Sequence, residues 1–201
     1  MFDYDEYVYL QTVRFESHED DHSVWASGQI RFLDLITNLL PAGGRVLDIG
    51  CGDGISLQKL NQLGFSTTGI DFNNNKLDVA RSKGCDVHNC DMHEMSIFED
   101  EVFDVVLSSH SLEHSFDPGM VMKEVSRVLK QGGLLFVVVP FPDIADYAID
   151  AHVGRDILGT SDVGNGKLKF MTFLNNYGFL VSELKEDSFR EPELWAFCKK
   201  A

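Results

Sequence analysis

The 201-residue sequence predicts an α/β fold built on a doubly wound, mainly parallel sheet. Three observations carry that prediction. Strand-like and helix-like segments alternate from Arg45 to Val139. The strand segments are unbroken apolar runs, the pattern of strands buried on both faces. A turn with glycines at 50, 52 and 54 joins the first strand directly to a helical pattern.

The elements follow in order. An acidic opening segment comes first, in which Tyr4, Tyr7 and Tyr9 are spaced as in an edge strand and are also candidates for the mouth of a pocket. Phe32, Leu35, Ile36, Leu39 and Leu40 then recur at helical spacing, so 24–40 reads as a helix stopped by Pro41-Ala-Gly-Gly. Next come strand "RVLDI", helix 55–64, strand "STTGID", helix 74–83, a short strand near "CDVHN" and strand "FDVVLSS". A helix over 118–130, with Val121, Met122, Val125, Val128 and Leu129 on one stripe, leads to strand "LLFVVV". Residues 141–166 are irregular, and a helix near 167–177 follows. Finally "FLVSELKED" and "ELWAFCKK" are separated only by "SFREP", too short for a helical crossover, so they should pair as an antiparallel hairpin.

Composition narrows the function. A net charge of −15, with basic residues scattered apart from Lys199-Lys200, repels phosphate backbones and anionic membranes, so neither nucleic acid nor membrane is an expected partner. No run of 18 apolar residues predicts a spanning helix. The cysteines at 51, 85, 90 and 198 form no Cys-x-x-Cys pair, and "MFDYDEYVYL" lacks a secretory pattern; free thiols in a reducing cytoplasm are expected. The chain is expected to form a single domain over 1–201, as a monomer or homodimer.

The glycine turn raises the functional question, because Asp48 and Asp53 bracket it. Turns of this kind usually cradle phosphate. The dinucleotide fingerprint needs its third glycine one position later, where Ile55 stands, and the Walker pattern needs a Gly-Lys-Ser/Thr that is absent. Glycines that admit a ligand and acids that repel phosphate suit a ligand cationic at its near end.

That combination, "VLDIGCGDG", resembles the first motif of class I S-adenosylmethionine-dependent methyltransferases. The resemblance extends through "GIDFN", "CDMHEM", "FDVVLSSHSLEHSFDP" and "EVSRVLKQGGLLFVVVP" in family order. It implies a Rossmann-like seven-stranded sheet of order 3-2-1-4-5-7-6 with strand 7 antiparallel. It also implies S-adenosyl-L-methionine as cofactor, held by Asp48, Gly50, Cys51, Gly52, Asp71, Phe72, Asp91, Met92 and Ser108. Asp71 would accept the ribose hydroxyls, Phe72 would pack on adenine, and Asp91 and the Met92 amide would meet its edge. Asp71 also reads as a turn residue, Asp91 as a helix cap, and Cys51 as a small filler. "DDHSVWASGQIRFLDLI" is similar to a lid helix of one branch, departing from it at Ala26, Ser27 and Gly28.

The implied reaction is methyl transfer to a small-molecule acceptor. A non-catalytic cofactor-binding partner subunit, or an aminopropyl or carboxyl transferase on the same fold, remains an alternative. Acceptor walls are expected from residues 1–28 of the 1–40 lid and helix segment, with Tyr4, Tyr7 and Trp25, and from a 141–166 insert with Asp143, Asp146, Tyr147 and Asp150. His110, His114 and His152 are candidates for general base or acceptor ligand; an unperturbed imidazole titrates near pH 6.5. His88 and His93 read as packing or surface residues. His18 and His22, amid Glu19, Asp20 and Asp21, imitate a metal site but read better as an exposed acidic loop. No metal is expected.

Overall fold

The structure is a computed structural model that describes residues 3–16, 22–144, 151–189 and 191–201, with the side chains of 10, 13–16 and 22–25 excepted. The first half contains α1 (Tyr4–Glu16), α2 (His22–Ile36), β1 (Arg45–Ile49), α3 (Ile55–Gln62), β2 (Ser66–Asp71), α4 (Asn74–Ser82) and β3 (Val87–Asn89). The second contains β4 (Phe103–Ser109), α5 (Pro118–Val128), β5 (Leu129–Pro140), α6 (Arg155–Leu158), α7 (Gly166–Asn176), β6 (Phe179–Asp187) and β7 (Glu193–Lys200). One sheet runs β3-β2-β1-β4-β5-β7-β6, as the sequence predicts. Strands β1 to β5 pair in parallel and β7 lies antiparallel between β5 and β6.

Alternation along each strand feeds two cores. Val46 of β1 and Val105 and Leu107 of β4 pack with Phe32, Leu33 and Ile36 of α2. Leu47, Ile49 and Val106 point the other way, toward Val121, Met122 and Val125 of α5 and Phe170 and Leu174 of α7. The helices start where their caps allow. The Asn73 side chain accepts from Asn75 and Lys76 N–H to open α4, and Asp117 accepts from Gly119 and Met120 N–H ahead of Pro118 to open α5.

Three local readings are corrected. The opening tyrosines lie on helix α1, where Asp3 caps the first turn by accepting from Glu6 N–H. Tyr4 and Tyr7 therefore share a face while Tyr9 is exposed. The helix expected to reach residue 130 ends at Val128, because Leu129 is already extended and pairs with Phe103. The Gln131-Gly132-Gly133 stretch lies inside β5, and a register shift between Phe103 and Val105 absorbs it. The helix expected over 24–40 gives way after Ile36 to a tight 3₁₀ turn, Thr37–Leu39. His18, Glu19, Asp20, Asp21, Asp146, Tyr147 and Asp150, and the side chains of His22 and Trp25, fall outside the described residues.

Trp195 anchors β7 to the α2 face. Its indole is 2% exposed, meets the Phe32 ring edge-on at 5.2 Å and donates through Nε1 to Glu193 Oε2 at 2.8 Å. Trp195→Ala should lower unfolding free energy by about 3–5 kcal/mol in urea titration. A loss below about 1 kcal/mol would mean that this side of the sheet is not consolidated by the indole.

Candidate functional site

The site forms where β1, β2 and β4 end. Gly50, Gly52 and Gly54 all have positive φ (72°, 50° and 76°), a conformation that strains residues with a Cβ. At Gly50 the constraint is doubled: a Cβ would lie 2.5 Å from the Ser111 Cβ. The turn is fastened to β2, since Gly50 and Cys51 N–H donate to Ile70 O at 2.8 and 3.0 Å. Gly52 N–H donates to Asp71 Oδ2 at 2.9 Å, while Asn73 N–H donates to Asp71 Oδ1 at 2.8 Å.

The resulting cleft encloses about 730 Å³ including its mouth, within the usual range for small-ligand sites. Seven of the expected residues line it: Gly50, Gly52, Asp71, Phe72 and Met92, with His110 and His114. Tyr7 of α1 also lines it, as expected of a pocket-mouth residue, and so does Gln11, which was not anticipated because only the fold brings α1 here. Ser111 lines it in place of Ser108, which is buried with its Oγ 2.7 Å from Ser111 Oγ. Ser111 in turn donates to Ile49 O at 2.7 Å.

The other expected residues sit just behind the lining. The Cys51 side chain is buried among Leu57, Leu77 and Ala80, and burial pushes its thiol far up, which suits a filler and not a nucleophile. Asp91 accepts from the Tyr4 hydroxyl, from His93 N–H at 2.8 Å and from His93 Nδ1 at 2.7 Å. The Asp117 N–H approaches His93 Nε2 at 3.3 Å, which makes Nε2 the acceptor and leaves the ring proton on Nδ1. His93 is thus a buried structural histidine. His88 pairs with Asp86 at the surface. All four cysteines are free and buried.

The wall around His110 and His114 is dense in imidazoles and carboxylates. His110 has φ +52°, an uncommon backbone for a non-glycine residue, and its N–H donates to Val138 O. Its Nδ1 lies 3.4 Å from Glu113 Oε1 and 3.7 Å from Glu191 Oε1, and its Nε2 lies 3.4 Å from Glu193 Oε1. His114 contacts the Ala151 carbonyl through Nδ1 at 3.0 Å, and burial pushes its pKa down to about 4, so it is neutral at pH 7. The His152 ring stands edge-on to that of His114 at 4.7 Å and binds Asp143 Oδ2 through Nδ1 at 2.8 Å. His152 lies behind the cleft wall. Glu113, fully buried in a short 3₁₀ turn (Leu112–His114), was not anticipated; such a turn leaves no periodicity to read.

Asp48 lies beneath the glycine turn, 2% exposed, and Oδ2 accepts no hydrogen bond. Burial first, and the Asp71 charge next, raise its pKa to about 7 against the Ser56 hydrogen bond. The folded protein therefore binds this proton more tightly than the unfolded chain does. Its contribution to stability is greatest below about pH 4 and falls as pH rises to about 7, at up to about 1.4 kcal/mol per pH unit. Asp48→Asn should flatten that decline and stabilise the ligand-free protein at pH 8; an unchanged profile in pH-dependent denaturation would contradict the assignment.

Comparison with known proteins agrees with this geometry. Residues 47–137 match the family model described as a methyltransferase domain. A ubiquinone biosynthesis O-methyltransferase of Pseudomonas entomophila (strain L48) is 39% identical over 101 residues, covering 47% of this chain and 44% of that protein. The chain thus spans less than half the length of this curated relative. Among solved structures, an S-adenosylmethionine-dependent methyltransferase of Methanosarcina mazei is similar with TM-score 0.65 and 23% identity, covering 83% of this chain and 96% of that one. The [4+2]-cyclase SpnF is similar with TM-score 0.69 and 18% identity, over 85% of this chain and 80% of that one. At such identities the likeness is one of fold. The family-model match spans residues 47–137, under half of the chain, and makes that stretch similar to a methyltransferase domain.

Proposed function

We propose that the chain transfers a methyl group from S-adenosyl-L-methionine to a hydroxyl of a small-molecule acceptor. The observation that carries the reading is a single cleft with the Asp71-fastened glycine turn on one wall and His110 and His114 on the other. The residues fit the cofactor. Glycines 50 and 52 present bare backbone to the cleft, and each Asp71 oxygen accepts one backbone N–H and keeps a lone pair for a ribose hydroxyl. Phe72 and Met92 offer flat and soft surfaces for adenine, with Asp91 beside them. The unmet Oδ2 of buried Asp48 suits a ligand bearing positive charge nearby. The relative named above is an O-methyltransferase by name, which supports oxygen as the accepting atom.

When bound, the cofactor supplies an electrophilic methyl whose bond to sulfur breaks as the bond to the acceptor forms, the electron pair staying on sulfur. The protein's part is to align the two within the cleft and to take up the acceptor's proton. His110 is the residue assigned to that proton, held among Glu113, Glu191 and Glu193. His114 and His152 support the wall around it.

The buried free thiols agree with a reducing cytoplasm, and no helix among the described residues is long and apolar enough to cross a membrane. The 1–40 segment, through Tyr7 and Gln11, and the 141–166 segment, through His152, are assigned to the acceptor end of one domain. The acidic charge disfavours nucleic acid as substrate.

S-adenosylmethionine and its demethylated product should raise the melting temperature, with stabilisation of about 2.7 kcal/mol at 100 times the dissociation constant, whereas NAD and ATP should not. Asp71→Ala should weaken cofactor binding at least about tenfold while the protein stays folded, each charged hydrogen bond being worth about 1.5–3 kcal/mol. A melting response to NAD alone, or unchanged affinity in Asp71→Ala, contradicts the reading. His110→Ala should lower turnover about 100-fold with cofactor affinity nearly unchanged; full turnover in that variant removes the base assignment.

A further inference from the structure

The Glu113–His114–His152 cluster offers more than a wall. One ligand atom from each of these residues lies within 4.8 Å of the other two. Glu113 is 0% exposed, and its carboxylate makes no close hydrogen bond beyond the long contact of Oε1 with His110 Nδ1 at 3.4 Å. A carboxylate so placed is costly unless a cation meets it. His110 Nδ1 stands 3.4 Å from Glu113 Oε1 and 3.7 Å from Glu191 Oε1, and its Nε2 faces Glu193 at 3.4 Å.

The two histidines are held as ligands commonly are. The Nδ1 of His152 is hydrogen-bonded to Asp143 Oδ2 at 2.8 Å, with the Asp143 side chain 2% exposed. The Nδ1 of His114 is hydrogen-bonded to the Ala151 carbonyl at 3.0 Å. Each bond fixes the tautomer with the lone pair on Nε2 and orients the ring, which is the role of carboxylate and carbonyl partners around metal-bound imidazoles. Bonds of about 2.0–2.2 Å to a central ion place ligand atoms about 3–4 Å apart, near the spacing of this set.

We infer that Glu113, His114 and His152 bind a first-row transition-metal dication through two imidazoles and one carboxylate. The donor set suits zinc, manganese or iron better than magnesium, which prefers oxygen. The site borders the cleft through His114. This departs from the expectation that no metal is needed. The ion's role, easing loss of a proton from an acceptor hydroxyl, rests on the methyltransferase reading; metal binding itself does not.

Chelator-treated protein titrated with Co²⁺ alone should give a one-to-one absorption spectrum of histidine-ligated cobalt, and Zn²⁺ alone should bind one equivalent in calorimetry. His152→Ala should weaken Zn²⁺ at least 100-fold and Asp143→Asn about 10-fold. His88→Ala, at a surface histidine, should leave it unchanged. Circular dichroism establishes that each variant is folded. Absence of one-to-one binding in the unaltered protein overturns the proposal, whatever the variants do, as does equal affinity in folded His152→Ala. Cofactor-induced melting shifts, measured without metal, report separately on the methyltransferase reading.

Discussion

The carboxylate of Asp71 holds the cleft together. It fastens Gly52 at the end of β1 and Asn73 at the start of α4, so the two backbones that border the cofactor side cannot drift independently. Asn73, held there, caps α4, and the Ile70 carbonyl beside it takes two more N–H groups from the turn. The opposite wall is tied to the same point. Ser111 reaches the Ile49 carbonyl at the end of β1, and this approach is open only because Gly50 has no side chain. A few short hydrogen bonds thereby set the distance between the glycine turn and His110.

Unbalanced negative charge is the second theme of the molecule. Asp48 is buried with one carboxylate oxygen outside hydrogen-bond reach, and Glu113 with no close hydrogen bond on either oxygen. Such groups lower the stability of the ligand-free fold, and they persist where a site is built to receive positive charge. In the proposed function a sulfonium would provide it at the glycine turn, and in the proposed metal site a dication would provide it at Glu113, His114 and His152.

Much of this was legible in the sequence. The apolar runs of β1 and β4 could be placed, the short connection set β6 and β7 as a hairpin, and the sheet order followed from resemblance. The glycine turn was equally plain, because a left-handed backbone demands glycine and the flanking acids excluded phosphate. What escaped was long-range. Gln11 reaches the cleft beside the expected Tyr7, from a helix whose tyrosine spacing imitated a strand. Glu113 comes from a 3₁₀ turn, Asp143 from beyond β5 and Glu193 from β7, and no local periodicity says that these meet. Ser108 and Ser111 exchanged roles because burial at a strand's end depends on where the next turn folds back.

The central claim is that this cleft joins a sulfonium methyl to a small hydroxyl-bearing acceptor. Incubation of the protein with S-adenosylmethionine labelled in its methyl group and a metabolite extract, followed by mass spectrometry, tests it most directly. The account predicts a small molecule that gains one labelled methyl on oxygen, and only with the intact protein. A cofactor that binds yet labels nothing, or that donates its aminopropyl group instead, would contradict it.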